Sequence, residues 1–150
     1  MSIENDINQR NFKSEYQKAI VNLVYTYNWT TAQLKNIFDY ENLTMQQFNI
    51  LRILRGSNKP LSTLQIRERM LDKMSDTSRI VDRLILKELV KKNTCRADKR
   101  LVDVTITNKG KEVLAKLDKH ETTMENIIQS LTESEAKMLN TLLDKMRRSV

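Results

Sequence analysis

Glycine and proline are scarce in this chain, with two of the former and one of the latter in 150 residues. Few positions can break a helix, so long helices with few sharp turns are expected. Cysteine occurs once, at Cys95, which excludes an internal disulfide and fits a reducing compartment, the cytoplasm. No run of about 18 apolar residues exists, so no segment reads as a membrane-spanning helix. The opening residues, Met1-Ser2-Ile3-Glu4-Asn5-Asp6, are polar and acidic, unlike a secretory signal. Aromatics are only 5% of the chain, so its core must come from Leu, Ile, Val and Met.

Catalytic chemistry also lacks its usual material. The one histidine, His120, lies in a helical pattern between Lys119 and Glu121 and reads as a surface residue. Cys95 has no Cys or His at metal-ligand spacing. Its basic neighbours, Lys91, Lys92, Arg96 and Lys99, could lower a thiol pKa, which leaves a redox role open beside an incidental thiol. There is no glycine-rich phosphate loop, and Gly56 and Gly110 read as helix punctuation. Glu133 and Glu135 suit a helix N-terminus better than acid–base work. No cofactor and no metal are expected.

What is present is focused positive charge. Residues 62–111 hold 13 Lys/Arg and 7 Asp/Glu, which is six of the seven net positive charges of the chain. The remainder is close to neutral. A basic excess favours polyanionic partners, nucleic acid first and an anionic membrane surface second.

The same stretch carries an ordered set of elements. Ser62-x-x-Gln65 is a capping box that opens one helix. A second starts near Ser75, whose hydroxyl can cap it, and runs to Lys87 with Val81, Leu84 and Ile85 on the core face. Arg79, Arg83 and Lys87, at i, i+4 and i+8, fall on another face and read as free. The period then changes to two. Residues 89–94 and 101–106 form a hairpin in which Val102, Val104 and Ile106 alternate with polar positions, around a basic turn at Ala97-Asp98-Lys99-Arg100.

Helix signals fill both flanks. Ala19, Ile20, Leu23, Val24 and Tyr27 form one stripe, continued by Leu34, Ile37 and Phe38, for one long or kinked helix over about residues 11–39 with a possible bend near Asn28-Trp29-Thr30. Thr44-x-x-Gln47 caps the next helix, which ends near Arg55 with Gly56 as its stop. Thr107-Asn108-Lys109-Gly110 starts another, carrying Val113, Leu114, Leu117, Met124, Ile127 and Ile128. Thr132-x-x-Glu135 opens the last, with Met138, Leu139, Leu142, Leu143 and Met146 on one stripe. These flanking stripes exceed what one small domain can cover. They imply a helical dimerisation region built from residues 1–43 and 112–150 around a winged helix-turn-helix at 44–111. Intramolecular packing of the three helices is the alternative.

A helix-turn-helix followed by a basic hairpin matches the geometry of DNA reading. A major groove admits one helix, whose N-terminal side chains reach base edges first. Here these are Ser75, Asp76, Thr77, Ser78 and Arg79. Arg79 suits a bidentate contact to guanine, and Asp76 either accepts from a cytosine amine or caps the helix. Arg83 and Lys87, further along, suit phosphates; for Arg83 an ion pair with Asp82 or Glu88 competes. The turn suits the narrow, negative minor groove of A·T tracts. Arg100 is the candidate for insertion, with Arg96 and Lys99 on phosphates and Asp98 either bracing the tip or serving as an ordinary turn residue. Tyr16, Tyr25, Tyr27, Trp29 and Tyr40 are aromatic surface for a ligand crevice, or core packing.

The residues Asn42-Leu43-Thr44-x-x-Gln47-Phe48-x-x-Leu51, Ser78-Arg79-Ile80-Val81-Asp82-Arg83-Leu84, Asp98-Lys99-Arg100 and Ile106-Thr107-x-x-Gly110 occur in an order and spacing that resembles the MarR family of bacterial winged-helix regulators. The resemblance runs over nearly the whole chain. It implies a mainly helical fold with a small β-hairpin wing, an obligate homodimer, and recognition of pseudo-palindromic double-stranded operator DNA, usually in repression. It implies a crevice between the dimerisation and DNA-binding parts that takes small aromatic or phenolic anions. The family's wing Asp and Arg fall on Asp98 and Arg100, and its recognition-helix contacts on Ser75, Asp76, Ser78 and Arg79. Three departures stand out. Glu88 occupies a position where many members have glycine, no cysteine lies near the N-terminus as in the redox-sensing branch, and no zinc-ligand set is visible.

The function expected from the sequence is a dimeric, cytoplasmic transcriptional regulator, a repressor released by a small ligand, and not an enzyme. The alternative is a helical adaptor whose basic face meets an acidic partner or anionic surface.

Overall fold

The computed structural model describes residues 2–94 and 102–148. Helix α1 is a single turn, Ile3–Asp6. Helix α2, Glu15–Asp39, starts where Ser14 accepts the N–H of Gln17 at 3.1 Å, later than the expected start near residue 11. It is continuous through Asn28, Trp29 and Thr30. The hydroxyls of Thr30 and Thr31 bond back to the carbonyls of Thr26 and Asn28 at 2.8 and 2.9 Å, a competition with the helical ladder that does not break it here.

Helices α3 (Met45–Arg55), α4 (Thr63–Arg69) and α8 (Glu133–Arg147) each open with the capping box expected from their sequence. In α3 the Thr44 hydroxyl accepts the Gln47 N–H and the Gln47 side chain accepts the Thr44 N–H, both at 3.1 Å. Such reciprocal bonds satisfy two amides that the helix leaves open.

Helix ends depart from expectation. Gly56 is right-handed, with φ −78°, so it is not a left-handed stop for α3. The left-handed positions are instead Asn8, Asn42 and Glu88, with φ of 53°, 54° and 61°. At each, the following N–H reaches back to a carbonyl in the last turn: Gln9 to Glu4, Leu43 to Phe38 and Leu89 to Leu84, at 3.0 to 3.1 Å. This closure normally uses glycine at the left-handed site, and Asn tolerates it best among the others.

Three antiparallel strands, β1 (Leu61–Ser62), β2 (Val90–Thr94) and β3 (Val102–Ile106), lie in the order β1-β3-β2. Val104 in the central strand faces Leu61 on one side and Lys92 on the other and is fully buried. The two-residue β1 is too short to leave a periodic trace in the sequence.

Helices α6 (Asn108–Asp118) and α7 (Glu121–Glu125) replace the single helix expected after Thr107, with a 3-10 turn at Asn126–Ile128. Gly110 is more than punctuation. A Cβ there would lie 2.3 Å from the Leu89 carbonyl oxygen and 2.8 Å from Ile106 Cγ1, so only glycine lets α6 approach the sheet this closely.

One core joins α3, α4, α5 (Thr77–Leu86), β1, β3, α6 and the end of α2. Ile50, Leu51, Leu61, Ile66, Leu84, Leu114 and Leu117 are fully buried, and the Phe38 and Phe48 rings stack at 4.5 Å. Each such side chain contributes about 1.5–3 kcal/mol through burial. The stripes of α2 and α8 remain open in the single chain: Ile20, Leu23, Val24 and Tyr27 on α2, and Met138, Leu139, Leu142 and Met146 on α8, are exposed.

Candidate nucleic-acid interface

Helix α5 presents two opposed faces. Thr77, Val81 and Leu84, spaced i, i+4 and i+7, are buried, while Ser78, Arg79, Asp82 and Arg83 are exposed. The turn before it, residues 70–76, is tied down by side chains. Asn49 Oδ1 on α3 accepts the Leu71 N–H at 3.0 Å, and Asp72 Oδ1 accepts the Met74 N–H at 3.0 Å.

Asp76, not Ser75, is the N-cap. Its Oδ1 accepts the Arg79 N–H at 3.1 Å, whereas the Ser75 hydroxyl donates to the Asp72 carbonyl at 2.8 Å. A carboxylate is the better cap because it also meets the positive end of the helix dipole. Thr77 is 4% exposed, and its hydroxyl has no hydrogen-bond partner among the described residues. It belongs to the packed face of α5 and not to the exposed face on which the sequence placed it.

Arg79 and Arg83 carry no ion pair among the described residues. The acids that could have taken Arg83 are engaged elsewhere: Asp82 Oδ1 lies 2.5 Å from Lys92 Nζ on β2, and Glu88 Oε2 lies 2.8 Å from Lys109 Nζ. Lys109 holds the Glu88 carboxyl below its ordinary pKa, chiefly through that hydrogen bond. Lys87 differs from the reading of a free basic face. Its ammonium donates to the Asn42 carbonyl and, at 3.2 Å, to Gln47 Oε1. Helical rotation of about 100° per residue turns Lys87 about 80° away from Arg79, toward the α2–α3 joint.

Cys95, Arg96, Asp98, Lys99 and Arg100 lie outside the described residues, in the segment that connects β2 to β3. Beside it on β2, Lys91 and Asn93 are exposed, and Lys92 is bound to Asp82.

A cavity of about 340 Å³ opens between α2, α3 and the α6–α7 junction. Its walls include Leu34, Phe38, Met45, Phe48 and Met124, with Asn49, Arg52 and the carboxylate of Glu121 as polar members. Arg55 and Asp118 form a two-point contact at 2.6 and 3.1 Å on its rim. The aromatic lining is therefore Phe38 and Phe48. Tyr16, Tyr25, Tyr27, Trp29 and Tyr40 do not line this cavity and are exposed in the single chain; Tyr25 and Trp29 line a second hollow beside α1, Tyr27 a third near Thr44, and the Tyr40 ring stacks on His120 at 5.2 Å.

Sequence reasoning read Gln47 only as a capping residue and did not single out Asn49. They are 4% and 3% exposed, and each accepts a hydrogen bond from the helix-turn-helix. The available signal was a polar residue on either side of Phe48 in an otherwise apolar helical face. Among the described residues, no helix is long and apolar enough to cross a membrane, and no three His, Cys, Asp or Glu side chains are grouped to hold a metal ion.

The MarR family model matches residues 43–102. A MarR transcription factor from Planctomyces limnophilus is 30% identical, with 91% of this chain and 98% of that one aligned and a TM-score of 0.68. The MepR–DNA complex of S. aureus aligns over 93% of this chain and all (100%) of its own, at 18% identity and a TM-score of 0.79. Bordetella bronchiseptica BpsR, described with regulation of its DNA binding by 6-hydroxynicotinic acid, aligns over 92% and 98% at 24% identity and a TM-score of 0.74. No curated protein matches. With its helix-turn-helix, its three-stranded wing sheet and these relatives, the chain belongs to the MarR family and has the fold of a MarR-type transcription regulator.

Proposed function

We propose that this protein is a sequence-specific repressor that binds pseudo-palindromic operator DNA as a homodimer in the cytoplasm and is released by a small aromatic anion. The observation that carries the reading is the outer face of α5. Ser78, Arg79 and Arg83 are exposed there without ion-pair partners among the described residues, while the opposite face is locked into the core. Arg79 near the helix start reads a base edge, and Arg83 holds phosphate. Ser75 and Asp76 shape the entry of the helix into the groove. Arg100 enters the minor groove, Asp98 braces it, and Arg96 and Lys99 hold phosphates.

The exposed stripes of α2 and α8 supply the dimer contact, since apolar rows of this length are rarely left to water. Residues 44–111 form the DNA-binding part and the two flanks the dimerisation part. Two copies must set their recognition helices about 34–36 Å apart to meet successive major grooves. The apolar cavity with Arg52 at its wall suits the effector: a flat ring against Phe38 and Phe48, and its negative charge toward Arg52. DNA in the MepR complex and the 6-hydroxynicotinic acid response of BpsR support the two halves of this reading.

The test is selection of bound sequences from random double-stranded DNA with the purified protein. An enriched inverted repeat is the expected result. Binding without sequence preference would overturn the reading in favour of a basic adaptor for acidic partners.

A further inference from the structure

We propose that Lys87 is a positioning residue that sets the angle of the recognition helix, rather than a DNA contact. Lys87 is the C-cap of α5 and only partly exposed. Its ammonium is received by two oxygens from the joint between α2 and α3: the backbone carbonyl of Asn42 and the side-chain oxygen of Gln47. Both acceptors are rigid. Asn42 is the left-handed residue that closes the end of α2. Gln47 is buried and fixed by its own capping box, so its Oε1 takes two donors, the Thr44 N–H at 3.1 Å and Lys87 Nζ at 3.2 Å. A lysine ammonium has three donors, and here two are already committed. Hydrogen bonds from a charged group are roughly twice as strong as neutral ones.

The other end of the helix-turn-helix is held by the same helix, through Asn49 Oδ1 and the Leu71 N–H. Gln47 and Asn49 are the buried polar side chains of α3, and they grip α5 beyond its last turn and before its first. Asn42 ends α2, so Lys87 ties the tail of the recognition helix to the helix that carries the exposed apolar stripe. A movement of α2 against α3 shifts the seat of Lys87 and with it the direction of α5. This rests on the DNA-binding reading. Selection of an operator by the wild-type protein tests that reading first, and the variants below test Lys87 alone.

The experiment compares wild type with Lys87→Met, Lys87→Arg, Gln47→Met and the Lys87→Met/Gln47→Met double variant on the selected operator and on random DNA across a salt series. If Lys87 positions the helix, Lys87→Met lowers operator affinity about tenfold and leaves random-DNA binding and the salt slope unchanged. The double variant then loses no more than the worse single variant. Lys87→Arg keeps the charge and has donors enough for both acceptors, so it is expected to retain more operator affinity than Lys87→Met. Two outcomes overturn the proposal: a salt slope reduced by about one unit on both DNAs, which marks a phosphate contact, or additive losses in the double variant. If Lys87→Met fails to fold, Gln47→Met decides the matter: it removes one acceptor and leaves the Lys87 charge, so operator affinity should fall at an unchanged salt slope, and full operator affinity overturns the proposal.

Discussion

Asp82 on the exposed face of α5 holds Lys92 of β2 at 2.5 Å. This pair connects the recognition helix to the wing strand and places one negative charge on a surface expected to meet phosphates. Being substantially exposed, it adds at most about 1 kcal/mol to stability. Asp82→Asn should release Lys92 and remove the negative charge. Binding to random DNA is expected to tighten, with the salt slope steeper by about one unit. Fluorescence anisotropy over a salt series checks it, and an unchanged slope would place this edge of the wing away from the backbone.

Arg79 and Arg100 are expected to act differently. Arg79→Ala should cost about 1–3 kcal/mol on the operator and much less on random DNA. Arg100→Ala should weaken both and reduce the salt slope by about one unit. Equal losses on both DNAs for Arg79→Ala would remove it from base reading.

Gly110→Ala places a methyl group against the Leu89 carbonyl oxygen, 2.3 Å from the site of the new carbon. The neighbour is backbone and cannot rotate away. A loss of about 1–3 kcal/mol is expected from this overpacking. Urea unfolding at fixed protein concentration measures it, and a neutral result would mean that α6 lifts off the sheet at little cost.

Glu88 sits at φ 61°, where a non-glycine residue is strained by about 1–2 kcal/mol. Glu88→Ala keeps the strain and loses the bond to Lys109, whereas Glu88→Gly loses the bond and relieves the strain. The glycine variant should be more stable than the alanine variant by about 1 kcal/mol. Equal stabilities would show that the left-handed closure after α5 carries no strain.

The N-terminal turn is expected to respond to acid. Lys18 Nζ lies 2.5 Å from Glu4 Oε1, and this hydrogen bond, with weaker ones from the backbone and Ser2, lowers the Glu4 carboxyl from 4.5 to about 2. A depressed carboxylate pKa contributes stability that is present above the unfolded value and lost as pH falls through the folded one. The docking of α1 on α2 should therefore weaken between about pH 4.5 and pH 2. Lys18 is raised by the same contact, so its share is complete below its ordinary pKa and fades only in strong alkali. Amide exchange of residues 3–7 against pH reads this directly. Lys18→Met should shrink the acid step, leaving the part due to the backbone and Ser2 hydrogen bonds.

Much of the fold was legible because it rests on local chemistry. The capping boxes at Thr44, Ser62 and Thr132 bond within four residues, so residue type and spacing specify them. The same holds for the period-two strands and for Val81 and Leu84 on the core face of α5. The surface proposed to face DNA was legible only in part. Arg79 and Arg83 keep the exposure that the helical period assigns, but Thr77 turned inward and Lys87 turned sideways.

Local pattern and charge distribution by themselves determined the helix-turn-helix, the wing strands, the basic face and the apolar stripes at both ends. Only tertiary structure decided which polar groups are spoken for. Asp76 rather than Ser75 caps α5, Asp82 goes to Lys92, Glu88 to Lys109, and Lys87 to Asn42 and Gln47, a residue 40 positions earlier. A hydrogen bond needs its partners within about 3 Å, and across elements that distance is set by how helices and strands pack, which no local spacing encodes.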